Sequence, residues 1–378
     1  MAPFENIPVE VEQSIADTKV RYQRIGGLVV SNPIMGCMGI GNSNWWDWVL
    51  DEEQWDTANV YSNGRSEELL GFALRKYQIP RRKVVIMTKV GRIMADEGNE
   101  NDVLAFMTPV AARSKDYVNQ YGLSRKSIFL QVNESLRRLQ TDYIDVLQIH
   151  RFDKDVPPEE TMRALHDLVV MGKVHYIGAS SMWAHELATL QFIAERNGLT
   201  KITCMQNHYN LLYREEEREM NKFCRNNGIG ILPVRGLSSF LLSAFSIKQL
   251  CRYKHTNSVY LSYKWAPLAS GHLACPYEQF GKSPRTADDL KNPRFSYGQT
   301  SADREIIDRV AVVAFRRGWN MTDVALAWLN QRVTAPVIGF TSVKRIEEAL
   351  QARGKILTEQ EEAYLEEPYM AKAVEGHV

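Results

Sequence analysis

The sequence predicts an α/β protein, a (β/α)8 TIM barrel with an N-terminal hairpin, and three observations carry that expectation. From Lys83 onward, short runs rich in Val, Ile and Leu alternate with amphipathic segments, as parallel strands alternate with crossover helices. The runs are almost continuously apolar, as strands covered on both faces are. Counted with two further runs near the start, they number eight, which suits a closed barrel better than an open sheet.

Residues 20–38 read as a hairpin with Gly26 and Gly27 at its turn, leading into a first barrel strand at 33–37 and plugging the floor. A short run at 54–58 is the second strand, and 83–88, 143–149, 174–179, 202–205, 230–232 and 335–338 complete the set. Between them, 127–139 places Ile128, Val132, Leu136 and Leu139 on one helical face, and 160–171 does the same with Met162, Leu165, Leu168 and Val169. Gly172, Gly198 and Gly228 stand where a left-handed residue closes the last turn of a helix. The acidic stretch 358–370 predicts a last helix packed across the outside. The whole chain, 1–378, reads as one barrel domain.

Composition narrows the partners. Lys plus Arg is 46 against 45 for Asp plus Glu, a formal charge of +1. Such a balance argues against nucleic acid and anionic membrane and for a small-molecule partner. The five cysteines lack metal-ligand spacing, so the expectation is a reduced, cytoplasmic thiol set without structural zinc. The most apolar stretch, 236–247, is shorter than the ~20 residues a bilayer span needs. Oligomeric state is not legible.

In a barrel of this kind, chemistry sits where strands end, at the C-terminal rim. Four polar residues punctuate those ends: Asp56 in Trp55-Asp56-Thr57-Ala58, Tyr61 five positions later, Lys89 after the 83–88 run, and His150 after the 143–149 run. Each alone has a plain structural reading as a cap, a wall residue, a loop cation or a satisfied rim histidine. Together they suit carbonyl reduction, because hydride addition creates an alkoxide that must receive a proton. A phenol with an ordinary pKa of about 10 donates poorly near neutrality unless a cation stabilises its phenolate. Lys89 supplies that cation, Asp56 holds Lys89 charged, and His150 orients the substrate oxygen.

The run from Trp55 to Tyr61 with Gly64 and Ser66-Glu67-Glu68, then Thr88-Lys89 and Gln148-Ile149-His150-Arg151, resembles the aldo-keto reductases, fungal aryl-alcohol dehydrogenase-like and natural-product pathway members in particular. The resemblance continues through Gly178-Ala179-Ser180-Ser181-Met182-Trp183, Met205-Gln206-Asn207, Trp265-Ala266-Pro267-Leu268 and Val337-Ile338-Gly339-Phe340 to Ala349. It implies an Asp56, Tyr61, Lys89, His150 tetrad, with hydride from NADPH and the proton from Tyr61. It also implies that Ser180, Ser181 and Gln206 hold the nicotinamide carboxamide and that Trp265 stacks on the ring. Ser342, Lys344 and Arg345 open a helix and offer N–H groups and two cations to a ribose 2′-phosphate. Glu348, one turn beyond, matches the residue that meets adenine in relatives. Trp45, Trp46 and Trp183 would line the substrate pocket, suggesting aromatic or polyketide-like carbonyls. A cofactor-binding regulatory subunit of the same fold, like potassium-channel β subunits, and an inactive product of a faulty gene structure are the alternatives.

The chain departs from that pattern twice. Only 17 residues, 39–55, separate the first strand from Asp56. A crossover with its helix needs at least ~10–12 residues before any strand is counted, so the first helix and second strand read as truncated. After the seventh strand, 31 residues, 234–264, stand between Pro233 and Trp265 with no clean period. They are either a lid over the substrate or a translated intron; the second reading restores a Leu-Pro-Trp-Ala-Pro-Leu run.

Overall fold

The computed structural model describes residues 8–37, 56–95, 114–233, 267–282, 297–339 and 343–377. Helix α1 (Val9–Asp17) buries no residue. The hairpin β1 (Arg21–Ile25) and β2 (Leu28–Asn32) follows, with Gly26 at φ +59° in its turn. Ile25 is fully buried and lies so close to Gly230 that a Cβ there would meet its Cγ2 at 2.4 Å. The hairpin therefore closes the barrel floor, as the sequence predicts.

The barrel positions are β3 (Ile34–Met35), the single residue Asp56, β4 (Met87–Val90), β5 (Ile144–Ile149), β6 (Val174–Ser180), β7 (Ile202–Gln206), β8 (Gly230–Ile231) and β9 (Val337–Ile338). Strands β4 to β8 form one parallel sheet in that order, and β3 pairs in parallel with β9. Asp56 joins the two, bridging Gly36 on one side and Met87 on the other. On the far side Val337 N–H donates to the Pro233 carbonyl at 2.6 Å and Thr334 N–H to that of Ile231 at 3.0 Å. Hydrogen bonds thus pass round all eight positions, although the second is one residue wide among the described residues.

Helices α2 (Arg65–Lys76), α3 (Arg125–Leu139), α4 (Pro158–Val170), α5 (Ala184–Arg196) and α6 (Met220–Asn226) alternate with the central strands and bury their apolar faces on them. Proline at the first position of α4 needs no N–H there, which starts the helix two residues before the predicted 160. Gly172, Gly198 and Gly228 have φ of +70°, +63° and +65°, in keeping with their predicted place just past three helices. Beyond lie α7 (Ser301–Arg317), α8 (Met321–Asn330), α9 (Val343–Gln351) and α10 (Glu359–Glu366). The last packs on α7 and accepts the Trp328 indole N–H on Glu366 at 2.8 Å, so the acidic stretch does lie across the outside.

One strand starts later than its apolar run. The Asp145 carboxylate takes the Ile86 N–H at 2.8 Å and binds Arg81, so a side chain replaces the first ladder bond and β4 begins at Met87. It then runs past Thr88 to Val90, which puts Lys89 inside the strand, level with Gln148. The segments 39–55 and 234–264, on which the expected truncation and insertion fall, lie outside the described residues.

Candidate active site

Asp56, Tyr61, Lys89 and Gln206 converge at one place inside the barrel mouth, and His150 faces it. Lys89 is 1% exposed, and its Nζ donates to Asp56 Oδ2 and to the Thr57 carbonyl, both at 3.0 Å. The same ammonium stands 5.1 Å from the centre of the Tyr61 ring. That ring meets His150 edge-on, centroids 6.2 Å apart at 83°. Gln206 Nε2 donates to the other oxygen of Asp56 at 3.2 Å.

Tyr61 has no strand to hold it, and side chains do that work instead. It opens a short 3-10 turn, Tyr61–Gly64, in which Ser62 and Asn63 have positive φ. Asn63 exchanges two bonds with the Ala95 backbone, at 3.1 and 2.8 Å. Asn59 donates to Gln131, which also accepts the Gly91 N–H just past β4. Thr57 donates to Ser66, and Ser66 to the Cys37 carbonyl. Beneath Lys89, the buried Glu67 accepts from Thr88 Oγ1 at 2.6 Å and from Arg138 Nε at 2.7 Å, tying β4 to α2 and α3.

The electrostatics correct one expectation. Burial pushes the Tyr61 phenol above its ordinary value, and the Lys89 ammonium, though it pulls the other way, does not overcome it. Without substrate the phenol therefore keeps its proton, and Lys89 acts as the cation that makes loss of that proton possible. Burial likewise raises the Asp56 carboxyl against the pull of Lys89. Lys89 itself, which burial alone would lower, is held above the ordinary lysine value by Asp56 and Tyr61. His150 is pushed well below 6.5 by desolvation and then by Arg151, Arg92 and Lys89, so its imidazole is neutral. Its Nδ1 is buried without a hydrogen-bond partner.

On the other wall, Ser180 ends β6 level with Gln206, and Ser181 N–H donates to the Gln206 carbonyl at 3.0 Å. Gln206 Oε1 is buried with no partner, an acceptor that fits the N–H of a carboxamide. Lys344 and Arg345 are exposed in the first turn of α9, with Glu348 half-buried one turn on. Trp265 and Ser342 lie outside the described residues, as do Trp45 and Trp46. Among the described residues no helix is long and apolar enough to cross a membrane.

The aldo/keto reductase family pattern matches residues 52–369. The chain belongs to the aldo/keto reductase family. Aldo-keto reductase AFTS1 of Alternaria alternata is 50% identical, over 98% of this chain and 97% of its own. Versiconal hemiacetal acetate reductase of Aspergillus parasiticus is 41% identical, over 94% and 98%. A Schizosaccharomyces pombe chain named as an aryl-alcohol dehydrogenase is 37% identical, over 93% and 96%. This aldo-keto reductase is therefore an oxidoreductase of a family that acts on small carbonyl compounds with a nicotinamide cofactor.

Two features near the candidate site were not legible in the sequence. Ala269, Ser270 and Gly271 have consecutive positive φ of 47°, 56° and 104°, and Ser270 Oγ is buried without a partner. The small-residue run after Leu268 was the available signal, but only backbone angles reveal a concave turn of this kind. The second is the C-terminal tail. Glu375 N–H donates to Tyr213 Oη at 2.8 Å, Lys372 pairs with Asp303 at 2.8 Å, and His377 packs edge-on against Trp183 at 4.6 Å. The tail thus reaches the rim beside β6, a return that no periodicity announces.

Proposed function

We propose that this chain reduces an aldehyde or ketone to an alcohol with NADPH, in the cytoplasm and in fungal secondary metabolism. The observation that carries the reading is the Lys89 ammonium, held 3.0 Å from Asp56 and 5.1 Å from the centre of the Tyr61 ring, with His150 across from that ring. The reduced nicotinamide supplies the hydride when bound. The names of relatives such as versiconal hemiacetal acetate reductase support the metabolic setting.

In this reading the neutral His150 donates to the substrate oxygen and sets its direction. As negative charge grows there, Tyr61 gives up its proton, and Lys89 stabilises the phenolate left behind. Asp56 keeps Lys89 charged and in place. Ser180, Ser181 and Gln206 Oε1 would hold the carboxamide, Trp265 would serve as the stacking partner of the ring, and the turn at Ala269 to Gly271 would take the diphosphate. Ser342, Lys344 and Arg345 take the 2′-phosphate, and Glu348 meets the adenine.

The same reading makes 1–378 one barrel domain that lacks part of its first βα unit and carries a foreign segment at 234–264. In support of the first point, the alignment with the Alternaria alternata relative spans 390 positions, more than the 378 residues of this chain. The relative therefore has residues that this chain lacks.

Turnover of an aromatic aldehyde with NADPH, beside Tyr61→Phe, tests the proposal. Loss of the proton donor lowers kcat by about 10²–10⁴-fold and leaves cofactor affinity nearly unchanged. Wild-type turnover by Tyr61→Phe removes Tyr61 from its role. Tight cofactor binding with no turnover of any carbonyl makes the chain a cofactor-binding partner instead.

A further inference from the structure

The inward-facing side chains of β4 and β5 change character toward the barrel mouth. Met87 and Val146 are register partners, and both belong to an apolar cluster with Ile34, Cys204 and Val337. Two residues on, the partners are Lys89 and Gln148. Thr88, between Met87 and Lys89, points the other way, to Glu67 on α2. Side chains alternate along a strand, so Gln148 enters the barrel on the same face as Lys89. On its other side is Gly178 of β6, where a Cβ would lie 3.0 Å from Gln148 Cγ and 2.6 Å from Cys204 Sγ. The missing side chain makes room for an amide that is completely buried.

Among the described residues neither end of that amide closes a hydrogen bond. A buried amide left so is costly where an apolar side chain of the same length would not be. Lys89 cannot relieve it. An ammonium has three N–H groups; the Asp56 carboxylate and the Thr57 carbonyl take two of them at 3.0 Å, and the Tyr61 hydroxyl draws on the third. The Asp56 carboxylate does have room. It accepts Lys89 on one oxygen and Gln206 on the other, two of the roughly four bonds that a carboxylate can take. Burial raises this carboxyl most, and Lys89, Gln206 and Gln148 pull it back.

We propose that Gln148 is a positioning residue whose amide N–H is the third donor to the Asp56 carboxylate and keeps it ionised against Lys89. This rests on the reductase reading above and adds a residue to it. Hydrogen bonds of a reacting site are often long or misaligned before substrate binds and tighten afterwards. In that reading Gln206 is shared between Asp56 and the carboxamide, so a second amide stops the carboxylate from taking a proton from Lys89. A neutral pair would leave the Tyr61 phenolate without its cation.

Gln148→Met keeps the length of the side chain and removes both polar ends. With NADPH and an aromatic aldehyde it is expected to lower kcat by about ten- to a hundredfold, the loss of a hydrogen bond to a charged group. The KM for the aldehyde and the affinity for NADPH should change little. An amide that only fills space gives the opposite result, a higher melting temperature with kcat unaltered. Gln148→Glu is the second variant. Two carboxyl groups in contact share one proton, and the new one donates to Asp56 only while it holds that proton. The kcat of Gln148→Glu should therefore fall with rising pH where that of the unmodified chain stays level. Wild-type kcat in Gln148→Met, a loss of NADPH affinity as large as the loss of kcat, or a level profile in Gln148→Glu overturns the proposal and leaves the reductase reading standing. If Gln148→Met does not fold, the profile of Gln148→Glu decides. Failure of the unmodified chain to reduce any carbonyl overturns both.

Discussion

Lys89 keeps its charge at 1% exposure because two oxygens at 3.0 Å replace the water it lost. The neighbouring His150 is in the opposite condition, since burial and three cations keep it neutral. Its depressed pKa has two consequences. The kcat/KM profile for reduction should show no inflection near pH 6.5, staying level until the Tyr61 phenol loses its proton above 10; a rate that halves between pH 7 and 6 contradicts this. The unfolded chain also takes up a proton at His150 below about 6.5 that the folded chain refuses, so this residue's share of stability falls as pH falls through that value. At the cofactor's other end, Arg345→Ala should raise the KM for NADPH far more than that for NADH. One charged contact to phosphate is worth about 1.5–3 kcal/mol, roughly ten- to a hundredfold; equal effects mean that Arg345 does not read the 2′-phosphate. The convergence of Asp56, Tyr61, Lys89 and His150 was legible in sequence because chemistry-bearing side chains at strand ends are few. The direction of the Tyr61 shift was not, because it depends on how much solvent the fold removes.

At the scale of elements, the close contact of α2 and α3 underlies the Glu67 bonds beneath Lys89. A Cβ on Gly71 would lie 2.7 Å from the backbone oxygens of Arg138 and Leu139, so the two helices touch through a glycine. Gly71→Ala must push them apart and strain the Glu67 bonds to Thr88 and Arg138. We expect it to cost about 1–3 kcal/mol, read as a lower urea midpoint. An unchanged midpoint means that the helices separate freely. Helices and central strands were legible because period and caps are local signals. The start of β4 was not, because Asp145 lies far along the chain from the Ile86 N–H that it captures. Nor was the second barrel position, where a single bridging residue leaves no pattern to read.

At the scale of the whole molecule, bonds among the described residues already close the ring, through Asp56 and Val337. Deleting 234–264, so that Pro233 precedes Trp265, is therefore expected to keep the fold and to raise turnover. Sequencing the mature transcript gives the independent check, since persistence of those codons makes the segment genuine protein and revives a lid. How the chain finishes has a practical bearing as well. His377 lies against Trp183 at the rim and Glu375 is tied to Tyr213, whereas α1 at the other end buries nothing. In the proposed reading, in which Trp183 lines the substrate pocket, an affinity tag joined through His377 would crowd arriving substrate. The same tag placed ahead of α1 precedes a helix that buries nothing, so preparations of this enzyme labelled at opposite ends should differ in KM while melting at the same temperature.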